Sequence, residues 1–276
     1  SGAKLVIGMP AGSLADRSRG GSLVELLKAA GFPTVGYEHG GPTSFRMNTA
    51  LVGWDGRPQE FGAQLALGEV DIAIAGDDWV RERVLEYHYE YDQELRLERV
   101  LSLRRGSVRI VAVTPPLESD QSFDAWLRQL LESKPLVSMV TEMPYLALDW
   151  FRKKIRTLGF ADTHGGYAVQ KYRTPATIES GLLIYESWGK TEAKILHGGV
   201  DFGLEITQTG SAIRNYGLQP GEELMRSEAS VWAAPHLKKD KEKYELARMF
   251  LLNLYGALFA ENKELMFFKA KKTSVD

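Results

Sequence analysis

The residues best suited to chemistry lie in the stretch 200–218, VDFGLEITQTGSAIRNYGL. The pattern predicts a buried strand ending near an acid, Glu205, then a turn of small and hydroxyl side chains, then a helix. Side chains at 209–212 are too small to shield the backbone, so their N–H groups could converge on an anion at the helix N-terminus. With the hydroxyls of this turn, the spacing favours a phosphorylated sugar as ligand. The alternative is a junction whose Ser and Thr residues only cap the helix.

The composition limits the classes of protein to be considered. With 276 residues, the chain is long enough for two lobes, and 44% hydrophobic with 25% charged residues is typical of globular proteins. A net charge of -2 without a basic stripe argues against nucleic acid as a partner. The absence of cysteine excludes disulfides and thiolate metal sites. No signal-peptide or membrane-span pattern is present, so we expect a cytoplasmic protein without a membrane partner, although a leader removed before Ser1 would not be visible.

Short β-rich runs alternate with segments of helical period, which predicts an α/β fold with mostly parallel sheets. Predicted strands are 4–9, 70–75, 107–114, 136–140, 201–206 and 229–233. Predicted helices are 22–30, 61–67, 122–131, 145–158, 191–196 and 241–260. The series predicts two lobes with a cleft between them, as in periplasmic binding proteins: residues 1–112 with 220–276, and residues 113–219. Ligands of open α/β sheets bind at the carboxyl ends of strands, so we expect the site in that cleft.

One sequence motif occurs twice. GEVDIAI at 68–74 and GGVDFGL at 198–204 both read as a helix end, a glycine, an aspartate and a buried strand. The recurrence supports two lobes built on the same plan.

Five segments occur in the same order as the motifs of a known family: KLVIGMPAGSL at 4–14, RPQEF at 57–61, DIAIAGDD at 71–78, GKTE at 189–192, and residues 205–218. With them the chain resembles the ATP phosphoribosyltransferases that open histidine biosynthesis. The last segment is the most specific, because it is similar to the family loop that holds the 5-phosphate of phosphoribosyl pyrophosphate.

The resemblance implies a transfer reaction. A purine-ring nitrogen of ATP, or of a related nucleobase acceptor, attacks C1 of phosphoribosyl pyrophosphate, and pyrophosphate leaves on Mg²⁺. The chain ends where long-form members enter a regulatory domain, whereas short-form members work with a separate regulatory subunit. The resemblance therefore also implies a homo-oligomer and a regulatory subunit as partners.

The resemblance also implies a role for each matching residue. Glu205 is expected to bond the ribose hydroxyls, and Glu192 to help position the ribose or the metal. The residues expected to hold the 5-phosphate are Thr207, Gln208, Thr209, Gly210, Ser211 and Ala212. The residues expected to face the second substrate are Gly12, Ser13, Arg57 and Asp77.

The chain departs from the family at several of these positions. Ala11 and Ser13 stand where the family has lysine and arginine, which removes two charge-assisted contacts, each worth about 1.5–3 kcal/mol. Arg17 and Arg19 either supply these contacts instead or belong to a solvated loop. Ala212 replaces a threonine, and Glu205 replaces an aspartate.

Other features admit two interpretations each. The alternation YHYEY at 87–91 either stacks a base or forms a half-buried strand or lobe contact, and Trp188 either stacks a base or packs in a lobe core. Glu142 and Asp149 form either an acid–base couple or a charge pair at a helix start. Three functions stay open: a phosphoribosyltransferase, a bilobed binding protein, or a non-catalytic subunit that regulates an enzyme of the same family.

Overall fold

The computed structural model describes residues 2–11, 22–37, 43–46 and 48–272, with side chains as far as residue 262. The chain forms two compact units, of which the first contains residues 1–83, 94–106 and 228–276 and the second contains 84–93 and 107–227. The predicted division differs in two respects. Its boundaries at 112 and 219 fall inside strands that belong wholly to the second unit, and it assigned residues 84–93 to the first lobe.

The strands, in chain order, are β1 (Leu5–Pro10), β2 (Thr34–Val35), β3 (Thr43–Phe45), β4 (Leu51–Gly56), β5 (Ile72–Gly76), β6 (Glu98–Ser102), β7 (Val108–Thr114), β8 (Leu136–Thr141), β9 (Tyr167–Lys171), β10 (Gly181–Glu186), β11 (Phe202–Thr207), β12 (Gln219–Ser227) and β13 (Ala229–Ala233). The helices are α1 (Leu23–Ala29), α2 (Pro58–Leu67), α3 (Asp77–Tyr91), α4 (Phe123–Ser133), α5 (Pro144–Leu158), α6 (Ala161–His164), α7 (Thr191–Leu196), α8 (Ser211–Asn215) and α9 (Lys241–Lys272), with a 3-10 turn at Pro235–Lys239. The α/β class with mixed and parallel sheets is therefore confirmed.

The first unit is built on a sheet of order β2-β3-β4-β1-β5-β13-β6. Strands β4, β1 and β5 are parallel, so their carboxyl ends lie at one edge of the sheet. β13 runs antiparallel to both β5 and β6. Leu5, Ile7 and Met9 of β1 are fully buried in a core to which α1 and α9 also contribute, because those helices turn their apolar faces to the sheet.

The second unit is built on a sheet of order β12-β7-β11-β8-β10-β9. Strands β11, β8, β10 and β9 are parallel to one another, whereas β7 is antiparallel to β11 and to β12. Helix α4 begins where the Ser122 hydroxyl accepts a hydrogen bond from Ala125 N at 3.1 Å, and α5 ends at Gly159 with φ +87°. The carboxyl ends of four parallel strands thus meet at one edge.

The repeated sequence motif, at 68–74 and 198–204, forms the same structure in both units. Asp71 is buried, and its carboxylate accepts from Val6 N at 2.8 Å, from His236 at 2.7 Å and from Lys243 at 3.0 Å. In the second unit, Asp201 accepts from Ser138 N at 2.9 Å and from Lys134 at 2.6 Å.

Each of these aspartates ties the start of its strand to the adjacent parallel strand. They lie at the amino edge of the sheet, away from the carboxyl edge where ligands bind. The repeated motif therefore has a structural role.

The interpretation of residues 87–91 as a half-buried strand is wrong, because they form the end of helix α3, which begins at Asp77. The segment 164–187 contains β9 and β10, and the first five residues of β10 are buried. In the part of the chain that is described, no helix is long and apolar enough to cross a membrane.

Candidate functional site

The carboxyl edge of the second sheet collects the polar residues that the sequence singled out. β8 ends at Thr141 and β10 at Glu186, and these two residues are paired across the strands. β11 ends at Thr207, and its pairing with β8 places it on the other side of that strand. Glu142, the turn 187–190 and the loop 207–212 follow these strand ends, so the topology brings them to one edge.

The loop 207–212 is held in shape by its own hydroxyl groups. Gly210 has φ +75°, and its N–H donates to the Thr207 hydroxyl at 2.8 Å. Ser211 N donates to the Thr209 hydroxyl at 3.3 Å, and that hydroxyl lies 3.0 Å from Ser211 Oγ. A hydroxyl that accepts from a backbone N–H still has a proton to donate, and one of the two hydroxyls of Thr209 and Ser211 donates its proton to the other. Gln208, Thr209, Ser211 and Ala212 are exposed.

Arg214 lies over this loop from the short helix α8. It donates to the Thr209 carbonyl at 2.9 Å, and its guanidinium atoms are 3.4–3.6 Å from the position that a Cβ on Gly210 would take. A side chain at Gly210 would therefore meet both a left-handed backbone and the guanidinium. Because α8 has only five residues, its dipole contributes less than the sequence pattern suggested.

Glu205 lies in an acidic environment at the end of β11. Burial, followed by the charges of Glu192 and Glu142, raises the pKa of its carboxyl to about 7, and a hydrogen bond from Thr191 and the charge of Lys194 oppose this shift. A hollow with room for about one water molecule lies between Glu142, Glu205 and the surrounding backbone. The two predicted catalytic residues, Glu192 and Glu205, are thus brought together.

Helix α7 reaches Glu205 because a glycine lets it pack closely on β11. A Cβ on Gly203 would lie 2.6 Å from Ile195 Cδ1, 3.0 Å from the Val140 carbonyl oxygen and 3.3 Å from Thr191 Cγ2. A larger residue at position 203 would force the Ile195 side chain to move and would crowd the Val140 carbonyl. Gly203 therefore favours the close packing of α7 on β11.

In the first unit, Arg57 and Asp77 follow the parallel strands β4 and β5, so both lie at the carboxyl edge of that sheet. Arg57 is exposed at the start of α2. Asp77 accepts from Arg99 at 3.2 Å, and Arg99 also donates to Glu228 at 3.2 Å and to Ser230 at 3.0 Å. Gly12 and Ser13, with Arg17 and Arg19, lie outside the described residues.

Sequence reasoning did not identify Lys194, Arg99 or Glu228 as site residues. Lys194 lies two positions after the GKTE segment and outside the residues that carry the resemblance, and Arg99 and Glu228 are 129 residues apart, so no local pattern connects them. Trp188 is 58% exposed and does not belong to a core. Asp149 accepts from Lys153 at 2.8 Å and from Tyr89 at 2.9 Å.

The volume of a cavity does not identify this site. A cavity of about 320 Å³ in the first unit lies between β6 and α9 and contains none of the predicted site residues. Its lining is mostly apolar, including Val100, Leu251 and Tyr255. The chemistry is therefore better indicated by the polar strand ends than by the larger hollow.

Comparison with known proteins agrees with the motif order. A profile of the ATP phosphoribosyltransferase family matches residues 57–254. The ATP phosphoribosyltransferase of Geotalea uraniireducens is 28% identical over 99% of this chain and 79% of its own length. ATP phosphoribosyltransferase 1 of Geobacter sulfurreducens is 29% identical over 93% of this chain and 74% of its own length.

Solved structures show the same fold. The ATP phosphoribosyl transferase (HisG:HisZ) complex from Thermotoga maritima matches with a TM-score of 0.62 at 16% identity, over 93% of this chain and 99% of that one. The periplasmic aliphatic sulphonate binding protein SsuA from Escherichia coli matches with a TM-score of 0.50 at 14% identity, over 100% of this chain and 76% of that one. These likenesses agree with the expected resemblance to periplasmic binding proteins. From the profile match over most of its length, the chain belongs to the ATP phosphoribosyltransferase family.

Proposed function

We propose that this protein transfers the 5-phosphoribosyl group of phosphoribosyl pyrophosphate to a ring nitrogen of ATP. The nitrogen lone pair forms the bond to C1 of the ribose, and the C1–oxygen bond breaks so that pyrophosphate leaves with the electron pair. The observation that carries the proposal is the loop 207–212, which follows β11 at a carboxyl sheet edge beside Glu205 and Glu192. It lies within the segment that the family profile matches.

The loop is proposed to hold the 5-phosphate by donating hydrogen bonds. The hydroxyls of Thr207 and Thr209 accept from backbone N–H groups of the loop, and the Ser211 hydroxyl lies 3.0 Å from that of Thr209. A phosphate can accept from them, and such charge-assisted bonds are about twice as strong as neutral ones. Arg214 supplies a cation at the same loop.

The carboxylates are proposed to act on the ribose. C1 gains positive charge as the pyrophosphate departs, and a carboxylate fixed nearby stabilises that charge more than it stabilises the neutral sugar. Glu205 would bond the ribose hydroxyls and Glu192 would position the ring. Little proton transfer is needed, so positioning and electrostatics would supply most of the rate enhancement.

Magnesium is proposed to be bound mainly through the phosphates of the substrate. Among the described residues, no group of three His, Asp or Glu side chains could enclose a metal ion. Mg²⁺ keeps several waters and is bound through substrate phosphates with one or two carboxylates, and carboxylates are present at this edge. When bound, the metal would neutralise charge on the leaving pyrophosphate.

The ATP half of the site is proposed to involve Arg57 and Asp77, with Gly12 and Ser13. Ala11, the last described residue before that loop, is exposed and carries no charge where the family has lysine. Weaker binding of polyphosphate on this side is the expected consequence. A homo-oligomer, a regulatory subunit and a cytoplasmic location belong to the same proposal, and the Thermotoga maritima structure is likewise a complex of two kinds of chain, HisG and HisZ.

The test begins with ligand binding. Phosphoribosyl pyrophosphate with Mg²⁺ should raise the melting temperature, since a ligand at 100 times its Kd stabilises the native state by about 2.7 kcal/mol. No shift at millimolar ligand would refute the proposal. A shift without pyrophosphate release in the presence of ATP would instead favour a non-catalytic member of the family.

A matched pair of variants tests the placement of the loop. Gly210→Glu should abolish binding, because the added carboxylate would repel the phosphate and occupy the space below Arg214. Gly256→Glu is the control, since a Cβ there meets nothing within 4 Å and the position is exposed on α9. If Gly210→Glu folds and binds as the control does, the loop does not hold the phosphate.

A further inference from the structure

The turn that connects β10 to α7 has a conformation that needs support. Gly189 has φ +75° and Lys190 has φ +57°, so two consecutive residues are left-handed and the second is not glycine. The left-handed conformation is unfavourable for a residue that has a Cβ. Such a turn persists only when its surroundings hold it.

Two charged side chains hold this turn from different elements. Glu142, which follows β8, accepts from Gly189 N at 3.0 Å. Lys194 of α7 donates to the Gly189 carbonyl at 2.6 Å and to the Ser187 hydroxyl at 2.5 Å. Both backbone polar groups of Gly189 are therefore bound by ionised side chains, and bonds of this kind are the stronger class.

The aromatic ring of Tyr172 completes the support. The Lys194 ammonium lies 4.9 Å from the ring centroid, within the range of a cation–π interaction. The three donors of the ammonium thus have two oxygens and a ring face as partners. Lys194 is fixed in place rather than free to reach a ligand.

The turn determines where the catalytic side chains lie. Lys190 is the residue before α7, and the first two residues of that helix are Thr191 and Glu192. Thr191 is buried and hydrogen-bonds Glu205. A change in the backbone of the turn would move the start of α7, and with it both groups.

We propose that Lys194 is a positioning residue for the phosphoribosyl half of the site: with Glu142 it holds the turn 187–190 so that Thr191 and Glu192 face Glu205. This inference rests on the proposed function for its catalytic consequence. Its structural part, the support of the turn, is independent of the substrate.

Amide hydrogen exchange of the segment 187–192 tests the structural part. Lys194→Met removes the charge and both bonds, and it should speed exchange by at least about tenfold, whereas Lys194→Arg should retain most protection. Lys153→Met, an exposed lysine on α5, is the control. Unchanged exchange in Lys194→Met overturns the inference whether or not the protein is an enzyme.

A second substitution separates positioning from a direct role of the charge. Lys190→Gly removes the left-handed penalty, so in combination with Lys194→Met it should restore both protection and most of kcat/KM for phosphoribosyl pyrophosphate. Restored protection without restored activity would mean that the lysine charge acts on the ligand, which overturns the positioning role. Accelerated exchange in Lys194→Met with unchanged kcat/KM overturns it as well.

If the proposed function is wrong, the wild-type protein gives a different result in these experiments. A wild-type protein that neither binds nor converts phosphoribosyl pyrophosphate refutes the transferase proposal. The exchange data then decide by themselves whether Lys194 holds the turn.

Discussion

Replacement of Glu205 by glutamine should make the stability of the protein less dependent on pH. Burial raises the carboxyl pKa to about 7, compared with 4.5 for the unperturbed group, and the neighbouring Glu192 and Glu142 add to the shift. The folded state therefore favours the protonated carboxyl. Its contribution to stability is complete below pH 4.5 and is lost as the pH rises through 7, because the unfolded chain releases this proton first.

The magnitude follows from the size of the shift. A difference of 7 minus 4.5 pKa units, at 1.36 kcal/mol per unit, gives an upper limit of about 3 kcal/mol. Glutamine cannot ionise, so Glu205→Gln should be more stable than wild type by up to this amount at pH 8 and similar to it near pH 4.5. The corresponding difference in melting temperature at pH 8 is roughly 6–12 °C.

The assay is thermal unfolding of wild type and variant from pH 4.5 to 8.5 without ligand. Glu132→Gln is the matched control, because Glu132 is exposed on α4 and tests the general effect of removing one surface charge. A difference between Glu205→Gln and wild type that stays constant with pH would refute the reasoning. So would a variant that loses stability at pH 8.

Two further predictions concern the scaffold and the site. Asp71→Asn should destabilise the protein by about 3–5 kcal/mol in chemical denaturation, because it leaves Lys243 without its buried carboxylate. Asp201→Asn should cost less, since its partner Lys134 is 42% exposed. Equal losses of stability in the two variants would contradict this. Gly203→Ala should cost about 1–3 kcal/mol by crowding Ile195 of α7 and the Val140 carbonyl, and it should also raise the KM for phosphoribosyl pyrophosphate. Gly256→Ala, in open space on α9, is the comparison and should stabilise the protein by about 0.5–1 kcal/mol, because alanine is the better helix former.

Much of the fold was predictable from local patterns. The helix at 191–196 and the strand at 229–233 have their predicted bounds, because a clear periodicity and a glycine or proline mark their ends. Helix α3 was missed for two reasons. Asp77 and Asp78 after Gly76 resemble a turn, although acids also favour a helix N-terminus, and YHYEY alternates with a period of two on a helix where Tyr87 and Tyr91 in fact contact each other.

The site was predictable only where one segment carries it. Residues 205–212 are contiguous, so their spacing reveals a strand, an acid and a hydroxyl-rich turn. The support of Glu192 depends on Glu142 and Lys194, which are 52 positions apart in a chain of 276 and meet only at Gly189. Such contacts depend on strand order, and a single sequence does not specify the order of β8 and β10.

The two kinds of acid in this chain show why strand-end carboxylates cannot be assigned from residue type alone. Asp71 looks like a site residue, since it begins a buried strand after a glycine, but backbone and side-chain donors occupy both of its oxygens. Such a carboxylate has its charge compensated and is not available to a ligand. Glu205 has the opposite balance, because two acids and burial disfavour its charge while one hydroxyl and one lysine support it. Its ionised form would gain most from a cationic partner, and in the reaction proposed here the positive charge that develops at C1 of the ribose would be such a partner.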